Sequence, residues 1–209
     1  MTDRYPIPAG ECHAELNERR SRFRATLGHA PDPEAARSFI RRVSAGFPDA
    51  THNCWAFVAG PPGSTAQVGA GDDGEPQGTA GRPMLKVLLH GGVGEVAAVV
   101  TRYFGGVKLG TGGLVRAYSG AVKLALERLP VREKVTLLRR RVVLAYAAVE
   151  PFRRLAALQE CTILEEHFGA DALFLVALPR DRLTSFTQAL LQMTNGEVLI
   201  DPDGIGPGN

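Results

Sequence analysis

The chain has 209 residues, of which 44% are hydrophobic, and 24 Lys and Arg against 22 Asp and Glu leave a formal charge of +2. That apolar content is ordinary for a globular protein and excludes a disordered, charge-dominated chain; the length suits one large domain or two small ones. No apolar run reaches the roughly 18–20 residues of a bilayer-spanning helix, and the polar start MTDRYPIPAGECHAELNERR lacks the basic and apolar segments of a secretory signal, so a cytoplasmic protein with no membrane partner is expected.

In chain order, HAELNERRSRFRATLGHA reads as two strands of a hairpin. PDPEAARSFIRRVSAGF reads as a helix with Asp32 as N-cap, Pro33 in its first turn and Gly46 at its end. Its stripe Ala36, Phe39, Ile40 and Val43 faces a core. THNCWAFVAG reads as a strand and TAQVGAG as another, followed by the loop GDDGEPQGTAGR. PMLKVLLHGG is a helix ended by Gly91, GEVAAVVTRYF a strand, and LVRAYSGAVKLALERL a helix that starts near Gly112 with Thr111 as its cap.

The character changes near VREKVTLLRRR (131–141), which places one domain at 1–134 and a second at 138–209. Residues 1–138 hold 17 Lys and Arg against 13 Asp and Glu, a surplus of four, whereas 139–209 hold 7 against 9. In the second region RRVVLAYAAVE reads as a strand, PFRRLAALQE as a helix, and CTILEEHF and ALFLVALP as strands joined at Gly169-Ala170-Asp171. RDRLTSFTQALLQM is an amphipathic helix carrying Leu183, Phe186, Leu190 and Met193, and GEVLID a closing strand. That order, βαββαβ, is the ferredoxin-like pattern. The fold class is α+β throughout.

Cys12, Cys54 and Cys161 are scattered and the five histidines show no paired spacing, so neither a disulfide framework nor a metal site is expected. GAGDDG (69–74) spells G-x-G-x-x-G, but Asp72, Asp73 and Glu75 would repel a pyrophosphate, and Pro76 replaces the expected helix opening. No G-K-[ST] occurs in GGVKLGTGG, so a Walker loop is excluded as well. No cofactor is expected.

Three constellations are candidates. TRYFGGVKLGTGGLVRAYS (101–119) joins a strand to a helix start, where Arg102, Lys108 and Arg116 surround Gly112 and Gly113, and Tyr103 offers a ring for stacking. Unpaired N–H groups at a helix start hold phosphate, but the same glycines also suit a sharp turn that only shapes the fold. Asp72, Asp73 and Glu75 form the second set, able to hold a cation or transfer protons, with turn chemistry the favoured reading. His52 and Cys54 share a strand face at i,i+2; a packed cysteine is favoured over a nucleophile there.

THNCWAFV, DDGEPQGTAGRPML and VVTRYFGGVKLGTGGLVRAYSGAV together resemble the IMPACT family, in particular its bacterial YigZ-type members. The resemblance implies an N-terminal ribosomal-protein-like β–α domain similar to domain IV of elongation factor G. It also implies a C-terminal ferredoxin-like domain similar to domain V of that factor, and a place in the regulation of translation. Established catalytic residues do not come with it. The expected function is a non-enzymatic, translation-associated protein whose partner is RNA or a ribosomal surface. The alternatives are an enzyme with a phosphorylated or acidic small substrate between the 71–81 loop and the 102–113 turn, and a protein-binding module whose acidic loop meets a basic partner.

Overall fold

The structure, a computed structural model, describes residues 3–201. It divides into two compact units, one running to Lys134 and the other beginning at Val135.

The first unit comprises β1 (Arg4–Pro8), β2 (Cys12–Glu18), β3 (Ser21–His29), α1 (Pro33–Ala45), β4 (His52–Val58), β5 (Val68–Gly71), α2 (Gly81–His90), β6 (Val96–Tyr103), α3 (Gly110–Leu126) and β7 (Val131–Val135). Five strands form one antiparallel sheet in the order β2-β3-β6-β4-β5, and β1 pairs separately with β7. The middle strand β6 is apolar over residues 96–100, where helices cover both of its faces. Val96, Ala98 and Val100 pack under α2 and α3 with Met84, Leu88, Tyr118 and Val122, while Ala97 and Val99 meet Phe39 and Val43 of α1. Each large side chain buried in this way contributes roughly 1.5–3 kcal/mol.

Helix α1 keeps the limits its caps imply. Asp32 Oδ1 accepts from the Ala35 N–H at 2.8 Å, and the Gly46 N–H closes the far end on Val43 O. Helix α3 departs from expectation: it begins at Gly110, with Leu109 before it and no side-chain cap, so Thr111 lies inside the first turn. Strands β1 and β7 are not foreseen by the periodicity, since RYPIP is short with two prolines and VREKV is mostly polar.

The second unit comprises β8 (Leu137–Leu144), α4 (Val149–Leu158), β9 (Thr162–Phe168), β10 (Ala172–Pro179), α5 (Leu183–Met193) and β11 (Val198–Ile200). Its antiparallel sheet runs β11-β8-β10-β9, the ferredoxin-like order. Phe152, Phe174 and Phe186 are fully buried at its centre, with ring centroids 4.7 Å and 6.4 Å from Phe152. The strand expected over 140–150 stops at Leu144, because a 3-10 turn at Tyr146–Ala148 redirects the chain into α4.

Candidate functional site

The loop between β5 and α2 is organised by its carboxylates. Asp72 accepts from the backbone N–H groups of Gly78 at 2.7 Å, Ala80 at 3.0 Å and Gly81 at 2.8 Å. It therefore supplies the N-terminal cap of α2 that Ala80 lacks. Burial raises the Asp72 carboxyl, but those hydrogen bonds and Arg82 outweigh it and hold the group below the usual carboxylate range. Asp73 Oδ2 accepts from the Asn53 N–H at 2.6 Å, and its carbonyl accepts from His52 Nδ1 at 2.7 Å. That contact places the His52 proton on Nδ1 in the neutral ring.

Glu75 reaches deeper. In the sheet register Arg102 lies directly between Phe23 and His52, on the face covered by α3. Glu75 Oε1 accepts from Arg102 Nη1 at 2.5 Å and from Tyr118 Oη at 2.8 Å, with His52 Nε2 4.0 Å away. Cys54 Sγ lies 2.9 Å from Asp72 O and 3.3 Å from Tyr118 Oη. Burial pushes the Cys54 thiol up to about 12 and drives the Tyr118 phenol upward as well. The arrangement ties the 72–80 loop to the sheet and to α3.

These contacts decide what the predicted residues can do. Cys54 is a neutral thiol at physiological pH and presents no thiolate nucleophile beside His52. Asp72, Asp73 and Glu75 are engaged by N–H and O–H donors, and no grouping of three or more His, Cys, Asp or Glu suited to a metal occurs among the described residues. Arg102 is 5% exposed and its guanidinium is committed to Glu75, with the Phe23 and Phe104 rings 5.3 Å and 5.5 Å from its Cζ. It is a buried anchor. Tyr118 completes the site, and its position on the Leu114, Ala117, Ala121, Ala125 face of α3 is the signal that marks it as buried.

The glycine-rich turn has its own geometry. A Cβ on Gly105 would fall 2.0 Å from the Arg20 backbone C and O, so the tip of the β2–β3 hairpin passes directly over it. Gly106 and Gly110 take φ of 83° and 71°, conformations that favour glycine. Gly112 is exposed and Gly113 half-buried, while Lys108 and Arg116 project into solvent. Tyr103 donates to Asp49 Oδ1 at 3.1 Å beneath the Arg22 guanidinium, and Phe104, 46% exposed, is the freer ring. Among the described residues, Arg82, Lys86, Lys108, Arg116 and Lys123 form no ion pair, whereas Arg24, Arg42, Arg102 and Lys134 each do.

Sequence comparison agrees with this architecture. Residues 19–126 match the Impact N-terminal domain, and 142–197 match the Domain of unknown function (DUF1949). The chain is 41% identical to the IMPACT family member YigZ of Escherichia coli, covering 92% of this chain and 94% of that protein. It is 36% identical to an IMPACT family member of Haemophilus influenzae, covering 97% and 98%. A crystal structure of a hypothetical protein superposes with a TM-score of 0.69 at 38% identity, with both chains fully covered. No helix among the described residues is long and apolar enough to cross a membrane. Two domain matches in succession, and 41% and 36% identity over nearly the full length of these relatives, establish that the chain belongs to the IMPACT family and is of the YigZ type.

Proposed function

We propose that the chain is a non-enzymatic, translation-associated regulatory or binding protein that contacts RNA, or a ribosomal surface, through the basic turn leading from β6 into α3. The link to translation rests on IMPACT membership. The observation that supports the surface is the start of α3, a 17-residue helix with no side-chain cap and no acidic residue in its first turn. Its free N–H groups and partial positive charge suit a phosphate. Lys108 and Arg116 flank it without a carboxylate partner among the described residues, and exposed Gly112 leaves room for close approach. Phe104 supplies the aromatic surface, and Arg102 supports the segment from beneath.

Filter binding of single-stranded RNA and ribosome co-sedimentation over a salt series test this. Affinity falls with salt at a slope of about 0.7 per phosphate contacted, and Lys108→Glu with Arg116→Glu removes most of it. Absence of both RNA binding and ribosome association at low salt sinks the reading.

The geometry lends no support to an enzyme working between the 71–81 loop and the 102–113 turn. The two segments meet at Glu75 and Arg102, but there the acid and the cation neutralise one another. An acidic-loop docking module has a narrow basis, since Asp72 caps α2 and Glu75 is buried against Arg102, which leaves Asp73 as the exposed acid of the three.

A further inference from the structure

Arg82, Lys86 and His90 recur every four residues along α2, so they form one stripe on its outer surface. Val115, Ser119, Lys123 and Leu126 form a matching stripe on α3. Between the stripes lies a groove of about 870 Å³. Pro83, Val87, Val115 and Leu126 give it apolar walls, and Arg82, Lys86 and Lys123 give it cations. Among the described residues none of these three cations is ion-paired, and Glu127 is the sole carboxylate in the lining.

The groove therefore combines an apolar bed with a surplus of positive charge, three cations against Glu127, with Asp72 acting on Arg82 from outside the lining. No Phe, Tyr or Trp lines it among the described residues, so it offers no platform for the stacked bases of a single strand. A free phosphate would meet the cations and leave the apolar walls in water. A helix whose apolar stripe is flanked by carboxylates matches both features. The dimensions agree: Arg82 to His90 is eight steps along α2, about 12 Å of rise, and anchors at i, i+4 and i+7 of a docked helix span about 10.5 Å.

We propose that the α2–α3 groove docks an acidic amphipathic helix of a partner protein. This surface runs along α3 beside the helix start that carries the basic turn, and it does not depend on RNA binding there. Apolar anchors seat against Val87, Val115 and Leu126, while glutamates or aspartates meet Arg82 and Lys86 on one side and Lys123 on the other.

The test uses the full chain and a fluorescein-labelled helical peptide carrying leucines at i, i+4 and i+7 flanked by glutamates, read by anisotropy. Saturable binding is expected, at least about tenfold tighter than for a scrambled peptide of the same composition. Val115→Glu, and separately Lys86→Glu with Lys123→Glu, weaken it about tenfold or more. These positions are exposed, and circular dichroism verifies that the variants fold. Lys108→Glu leaves peptide binding unchanged, which separates this site from the RNA surface. The inference is overturned if the peptide shows no saturable binding at millimolar concentration, if the scrambled peptide binds as well, or if the groove substitutions have no effect. It is equally overturned if single-stranded RNA displaces the peptide and itself loses affinity on Val115→Glu.

Discussion

Arg102 and Glu75 form an ion pair whose side chains are only 6% and 3% exposed, with Nη1 and Oε1 2.5 Å apart. The pair joins the end of the central strand to a loop 27 residues earlier in the chain. Removing one partner strands a charge away from water, which costs roughly 3–5 kcal/mol, whereas replacing both with apolar groups of similar size costs far less. Glu75→Ala and Arg102→Met are each expected to be strongly destabilising in urea unfolding, and the double variant less so than their sum. Additive effects would show that the pair is not coupled.

The Cys54 thiol, pushed up to about 12 by burial, is expected to resist alkylation in the folded protein. Cys12 and Cys161 are buried as well. Mass spectrometry after iodoacetamide treatment should find none of the three modified under native conditions and all three modified in denaturant. Tyr118→Phe removes a donor from Glu75 and should cost about 1–3 kcal/mol without exposing Cys54.

Acid should weaken the first unit through Glu95. This carboxylate is 3% exposed and accepts from His29 Nε2 at 2.8 Å, Tyr5 Oη at 3.0 Å and Lys134. Burial pushes it up, but hydrogen bonds from Lys134, His29 and Tyr5 together hold it below its ordinary value. A depressed folded value means that its stabilisation is complete above the unfolded value, roughly 4.3, and is lost as pH falls through the folded one. Burial draws Lys134 down and Glu95 more than reverses it, so its contribution is present below about 10.4 and fades as pH rises through its higher folded value. Urea midpoints should therefore be flat near neutrality and fall in acid. Glu95→Gln should lower the neutral plateau and flatten the acid limb; an unchanged acid limb would count against Glu95.

Glycines in the turn should separate by mechanism. Gly105→Ala forces a Cβ into the Arg20 backbone and is expected to cost about 1–3 kcal/mol or more. Gly112→Ala meets nothing nearer than Arg116 Nη1 at 3.7 Å and lies within α3, so it should gain about 0.4–1 kcal/mol. Thermal melts of the two variants shifting in the same direction would contradict this assignment.

The contrast between these glycines also shows what can be read from a sequence. Local chemistry is legible: Asp32, Pro33 and Gly46 delimit α1, and alternating apolar residues reveal the βαββαβ order of the second unit. Partnerships across the chain are not. Arg102 reads as a phosphate contact until the register sets it beside His52 and brings Glu75 over it. Asp72 reads as one of three loop acids, yet it caps a helix whose own N-cap position holds an alanine. In the glycine-rich turn, Gly105 owes its identity to a hairpin more than 80 residues earlier, as the Ser21 hydroxyl beneath its N–H also indicates.

Strand β6 is central in the first sheet but last of its five strands to be synthesised. Before it emerges, the β2–β3 and β4–β5 hairpins lack their common neighbour, and each carries a bare edge that β6 later occupies. Closing the sheet thus waits on contacts distant in sequence, which fold slowly and leave strand edges open to intermolecular pairing. A nascent chain halted before Val96 holds two half-sheets and no means of joining them.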